Sequence, residues 1–282
     1  MSQQPEPGDP YGGAPQHEPE QPKPGMYRQE VDVHPPERQR RWTVLLRLLL
    51  LVPHQVVLFF LFIAGFVVVI IGWFAALALG RLPKWAADFL SLLVAYQIRV
   101  TASSMLLVDT YPPFVVDDEN YPVRVDIRPS SMSRWTVLFR VVLIIPAALL
   151  SMFVSYGWAT LGFFVWLTVL ITGRTPRPVF DANAAVLRFN LRVNAYSNLL
   201  TGAYPRRLFG DAPVVSDPGP RAERTWPLVL GKGGRAMVII YIVLGVLAYA
   251  GNATVQATYP PMPPEHSQYQ YDYAELPVVP GQ

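Results

Sequence analysis

The stretch "RWTVLLRLLLLVP", Arg41–Pro53, nearly reappears as "RWTVLFRVVLIIP" at Arg134–Pro146. Each version sets a single arginine, Arg47 or Arg140, inside a long apolar run. Thr43–Leu79 holds no other formal charge, Thr136–Thr172 holds none besides Arg140, and a third run, Ala236–Ala250, holds none at all. A buried helix in a globular protein rarely exceeds about 14 apolar residues, so runs of this length call for lipid around them. The composition agrees. Of 282 residues, 51% are apolar and 15% charged, and the mean hydropathy is positive, outside ordinary soluble usage. The chain reads as an all-α integral membrane protein.

The likeness extends well beyond the opening stretch. An offset of 93 residues that aligns Trp42 with Trp135 also aligns Arg47 with Arg140, Pro53 with Pro146 and Trp73 with Trp166. It holds through Gly80/Gly173, Arg81/Arg174, Pro83/Pro176, Asp88/Asp181, Arg99/Arg192 and Tyr111-Pro112/Tyr204-Pro205. Chance matches between apolar runs would fall on Leu and Val. Matches at Trp, Arg, Pro, Gly and Asp mark a tandem duplication. A weaker echo precedes each copy: "EVDVHPPERQRRW" beside "RVDIRPSSMSRW".

These elements, with "GRTPRPVFDANAAVLRFNLRVNAYSNLLTGAYP" in copy two and "VPH" (Val52–His54) in copy one, resemble a family of bacterial membrane proteins. It is the domain of unknown function DUF4389, common in actinobacteria. The resemblance covers about Val31–Pro205, twice over. Copy one departs from it at "LPKWAADF", where a bulky apolar residue would precede Asp88. The resemblance implies a bacterial membrane protein and supplies no reaction.

One helix through a run of 37 residues would be about 55 Å long, far more than a hydrocarbon core of about 30 Å. Gly65 and Gly157 fall near the middle of their runs, where a turn would divide each into two short helices. Charge points the same way. Lys and Arg number six up to Arg47, seven in Arg81–Arg140, ten in Arg174–Arg235 and zero thereafter. A transmembrane helical hairpin in each repeat keeps all three basic segments cytoplasmic, and an even number of crossings keeps tandem copies parallel. The expected plan therefore has five crossings rather than three.

Each hairpin leads into an amphipathic interfacial helix, and one transmembrane helix closes the chain. In order these parts are a Pro-rich disordered tail (1–30), repeat one (31–116), repeat two (117–212), a basic cytoplasmic linker (213–235), the C-terminal helix (236–256) and an acidic Tyr/Pro-rich disordered tail (257–282). The N-terminus is expected in the cytoplasm of a bacterial plasma membrane and the C-terminal tail outside. The start of the chain lacks the apolar segment of a secretory signal.

Gly80 and Gly173 read as helix C-caps, with Pro83 and Pro176 blocking continuation. In copy two Val186, Phe189, Val193, Tyr196 and Leu200 recur at helical spacing, with arginines on the remaining face. Arg81, Lys84 and Arg99, with Arg174, Arg177, Arg188 and Arg192, are thus the expected contacts to anionic lipid headgroups. Arg47 and Arg140 are expected to snorkel to phosphates. The sharper alternative pairs them with Asp88 and Asp181, 41 residues downstream in both copies. Those aspartates otherwise suit a helix cap or first turn. His54, replaced by Ala147 in copy two, reads as a packed histidine.

Cysteine is absent, which excludes disulfides and thiolate chemistry. "GKGG" at Gly231–Gly234 lacks the first glycine, the Ser/Thr and the preceding strand of a phosphate loop. No catalytic triad, nucleotide fingerprint or metal cluster stands out, so no enzymatic activity, cofactor, metal or nucleic-acid partner is expected. A non-catalytic membrane scaffold with lipid partners is the leading expectation. A small transporter or channel of two parallel repeats is the alternative.

Overall fold

The computed structural model describes residues 30–33, 38–115, 121–210 and 228–258. Nearly all of both expected tails and most of the expected basic linker lie outside these residues; residue 30 falls in a strand and residues 257–258 in the last helix. Strand β1 (Glu30–Val33) leads into helix α1 (Arg41–Leu79) and then α2 (Lys84–Ser104). Strand β2 (Val123–Asp126) leads into a short α3 (Arg134–Leu138), then α4 (Arg140–Thr172) and α5 (Arg177–Ser197). Helix α6 (Lys232–Thr258) follows.

The expected hairpins do not form. Helix α1 runs unbroken for 39 residues through Pro53 and Gly65, and α4 runs for 33 through Pro146 and Gly157. The two mid-run glycines serve close packing instead of turning the chain. A Cβ on Gly65 would collide with the Leu93 side chain, and one on Gly157 with the Tyr241 backbone. Among the described residues three helices are long and apolar enough to cross a membrane, at 41–79, 140–172 and 232–254.

Burial on α1 follows one narrow stripe: Val44, Arg47, Leu51, His54, Leu58, Gly65, Gly72 and Ala76. Steps of three, four and seven keep these residues on one helix face. The rest of the helix exposes large apolar side chains along its whole length, among them Leu48, Phe59, Phe60, Phe66 and Phe74. In water that surface would aggregate; in hydrocarbon it is solvated.

Helix α2 returns antiparallel along α1, Ser103 lying by Arg47 and Tyr96 by His54. Helix α5 returns along α4 in the same way, with Asn190 by Ser151 and Thr201 by Arg140. Neither is the amphipathic surface helix expected from spacing. Both are buried on most sides, α5 from Val179 to Tyr196, because they form the middle of the molecule. The chain is mostly helical, as expected, with one addition: "EVDV" and "VRVD" pair as an antiparallel ribbon, Val31 opposite Val125, laid against α2 and α5.

The copies are related by a near two-fold axis, and their contacts come in reciprocal pairs. Gln39 N–H donates to the Gly173 carbonyl (2.9 Å), and Met132 N–H to that of Gly80 (3.0 Å). Trp73 Nε1 donates to the Val137 carbonyl (3.0 Å), and Trp166 Nε1 to that of Val44 (2.8 Å). Each pair is the other shifted by the repeat offset. The start of α1 therefore meets the end of α4, and the end of α1 meets the start of the α3–α4 segment. Gly80 and Gly173 cap α1 and α4 in the left-handed conformation, with φ of 71° and 69°.

Helix α6 packs antiparallel on α4 through small residues. A Cβ on Gly245 would enter the Phe153 backbone, just as one on Gly157 would enter that of Tyr241. Close backbone approach of this kind is the main source of helix association in lipid. Gly157→Leu or Gly245→Leu is expected to cost about 3 kcal/mol or more, since the side chain meets backbone that cannot yield. Gly251→Ala, where an added Cβ meets nothing within 4 Å, should stay within about 0.5 kcal/mol. Thermal unfolding in detergent distinguishes the three.

Candidate functional site

The duplicated arginines define the site. A helix ends with carbonyls that lack intrahelical partners, and α2 and α5 deliver such ends beside α1 and α4. Arg47 Nη1 donates to the Ser103 carbonyl (3.1 Å) and to that of Val108; its Nη2 meets Asp109 Oδ1 at 3.3 Å. Thr43 Oγ1 donates to the same carboxylate oxygen (2.6 Å), and Arg40 approaches Asp109 at 3.9 Å. Arg140 Nη2 donates to the Thr201 carbonyl (2.7 Å), the copy-two equivalent of the Val108 bond, and its guanidinium lies 4.2 Å over the Tyr196 ring. Gly202 stands where copy one has Asp109. Arg140 Nε and Nη1 are buried without a hydrogen-bond partner among the described residues.

Arg47 and Arg140 are 4% and 3% exposed, so neither snorkels: the guanidinium turns inward to carbonyls rather than outward to phosphate. Nor do they pair with Asp88 and Asp181. Those residues sit one turn inside α2 and α5, beyond a capping position, at the opposite end of each antiparallel pair from its arginine. Asp88 is exposed. Asp181 lies against Gly234 at the start of α6.

The seven basic residues expected at headgroups divide in two. Arg81, Lys84, Arg174 and Arg177 are exposed just past the Gly80 and Gly173 caps. Arg99 and Arg188 are buried. Arg99 reaches the Val115 carbonyl and the Tyr121 ring, and Arg188 Nε donates to the Val31 carbonyl (3.0 Å), tying α5 to the ribbon. Arg192 donates to the carbonyls of Arg206 and Arg207. These three hold the protein together, which withdraws them from the lipid role.

His54 is fully buried. Its Nδ1 lies 2.6 Å from the Tyr96 hydroxyl, and its ring stacks on Phe114 at 4.3 Å. Copy two has Ala147 and Phe189 at the places of His54 and Tyr96, so the polar pair belongs to copy one alone. Leu106 and Leu199 hold equivalent left-handed turns, φ 56° and 60°. Such turns cost a non-glycine residue about 1–2 kcal/mol. At Leu106 the carbonyl is held by Gln39 Nε2 (2.6 Å) and Thr175 Oγ1 (3.0 Å). Tyr196 was read from sequence only as part of an apolar helix face, and Asp109 and Thr201 were not singled out. Their one signal was the repeated "LL…YP" that follows α2 and α5.

The profile of a family described as a domain of unknown function (DUF4389) matches residues 41–116 and 134–208, more than half of the chain. The chain is a DUF4389 protein with two tandem copies. Each matched segment holds one long apolar helix, its returning helix and the turn that meets the arginine. No curated protein and no solved structure matches the chain.

Removing Arg47 leaves two buried carbonyls unpaired and the partly buried Asp109 carboxylate with Thr43 and a more distant Arg40, so Arg47→Ala should cost about 2–4 kcal/mol. Arg140→Met, which leaves no carboxylate behind, should cost about 1–2 kcal/mol. Thermal unfolding in detergent reads both. Burial pushes the Asp181 carboxyl above the usual carboxylate range, against a smaller opposing pull from Arg177. A carboxyl raised in the folded state favours folding while protonated, and that contribution is lost as pH rises through the raised value. Asp181→Asn should therefore stabilise the chain at neutral pH, with the gain vanishing below the normal carboxylate pKa.

Proposed function

We propose that this protein is a non-catalytic membrane scaffold seated from the cytoplasmic side, with α1 and α4 lying along the bilayer rather than across it. The observation that carries this reading is where the ribbon sits. Arg188, at the middle of α5, bonds β1, and Asn190 lies beside Ser151 near the middle of α4. A membrane normal along α1 and α4 would put the ribbon, with exposed Arg124 and Asp126, at mid-depth in hydrocarbon. A charge there costs about 2.5–3.5 kcal/mol even on the lenient scale, and open sheet edges are not tolerated at that depth.

Turning the axis upright resolves the conflict. The two-fold then runs along the membrane normal, so both copies face the same way, and both ends of α1 and α4 lie at one level. Arg81, Lys84, Arg174 and Arg177 meet cytoplasmic headgroups, where each basic residue contributes about 1 kcal/mol near anionic lipid. Six, seven and ten basic residues in the three segments then share one side, in keeping with the charge rule. Because α6 runs back along α4, its end also returns to the cytoplasmic side. This replaces the outward tail suggested by the lack of Lys and Arg after Arg235. The scaffold presents its ribbon and loops to cytoplasmic partners.

Single cysteines test this without interference from any native thiol. Arg40→Cys at one end of α1, Lys84→Cys at the other and Ser267→Cys in the tail should all label only from the cytoplasm. Labelling of the first two from opposite faces would mean that α1 crosses the membrane.

A further inference from the structure

We propose that the cleft between the first half of α1 and the second half of α4 retains the acyl chain of one anionic phospholipid. The cleft has a volume of about 430 Å³ and is walled by Leu48, Leu106, Phe163, Val165 and Trp166, with Trp158 and Arg47 beside them. That volume lies in the usual range of about 300–1,000 Å³ for small-molecule sites. Its rim residues Leu48 and Phe163 are 74% and 62% exposed on the apolar face, so the cleft opens to hydrocarbon. This rests on α1 and α4 being in the membrane and not on their tilt.

Two observations favour a lipid with an acceptor-rich, negative head. Trp158 Nε1 is a buried donor without a partner among the described residues, and Ser104 and Arg47 also line the cleft. Charge at this end is unbalanced. Asp109 is shared by Arg47 and Arg40, while Arg41 caps the Ile171 carbonyl and Arg174 is exposed just past the end of α4. Two guanidiniums thus share Asp109, and two more, Arg41 and Arg174, stand at the same end of the helix pair without a carboxylate contact of their own among the described residues. At the equivalent place across the two-fold, Gly65 takes the position of Trp158 and packs on Leu93, so the tryptophan donor occurs once per chain. One lipid per chain is the consequence.

Gly162 lines the cleft, and a Cβ added there meets nothing within 4 Å, so a large side chain fills the space without touching the fold. The full-length protein is delipidated in mild detergent, then offered equimolar phosphatidylglycerol and phosphatidylcholine of identical chains, and bound lipid is read by native mass spectrometry. Wild type should retain one phosphatidylglycerol in preference to phosphatidylcholine by about tenfold, the ratio expected for one charge-assisted contact. Gly162→Phe should lose that retention while remaining in the carbonate-resistant membrane pellet with an unchanged melt. Ala159→Phe, at an exposed position on the same wall, gives the same readout if Gly162→Phe does not express. Arg40→Gln with Arg174→Gln should bring the two lipids towards parity. Equal retention of both lipids by wild type, or undiminished retention by the filled variants, overturns the proposal. Release of wild type from the pellet would instead overturn the membrane reading.

Discussion

A guanidinium buried among carbonyls decides how this chain folds. Arg47 and Arg140 each lie inside an apolar helix that would otherwise have no reason to prefer any neighbour in hydrocarbon. Lipid tails are as apolar as leucine, so burial alone does not drive helices together there. An arginine in that setting is costly unless donors find acceptors. The carbonyls at and just beyond the ends of α2 and α5 are such acceptors, and bonding them folds each returning helix against its long partner. Arg47 and Arg140 thereby turn two apolar rods into two defined helix pairs.

Once each pair is closed, the duplication builds the rest. Trp73 with Val137 and Trp166 with Val44 are one contact made twice, as an isologous interface requires. The ribbon follows the same logic: two equivalent strands pair antiparallel across the axis. Differences between the copies then stand out. Asp109, His54 and Tyr96 in copy one become Gly202, Ala147 and Phe189 in copy two, so the duplicated arginine meets a carboxylate in one half and the Tyr196 ring in the other. Helix α6 adds to copy two alone, through Gly157 and Gly245.

The exposed surface of α1 is more apolar than its buried stripe, which contains Arg47, His54, Gly65 and Gly72. This inverts the pattern of a soluble helix and has one cause: the solvent outside is hydrocarbon. The same inversion explains why α2 and α5, the most polar of the long helices, occupy the centre. Their arginines and asparagines find partners there that lipid does not offer, as Asn183 does with the Met105 carbonyl and Tyr241.

Membrane character, the tandem copies and the ends of the long helices at Gly80 and Gly173 were legible in the sequence. Each depends on composition, on repetition or on a local backbone conformation that only nearby residues dictate. The continuity of α1 was not legible, because an all-round apolar helix has no periodicity from which to distinguish a turn at Gly65 from close packing against Leu93. Nor was the buried state of Arg99 and Arg188, since spacing shows that arginines share a face but not what covers it. Tertiary structure alone decided that Arg47 meets Asp109 rather than Asp88. The antiparallel return of α2 carries Asp88 to the far end of the pair and sets Asp109 beside the first turns of α1.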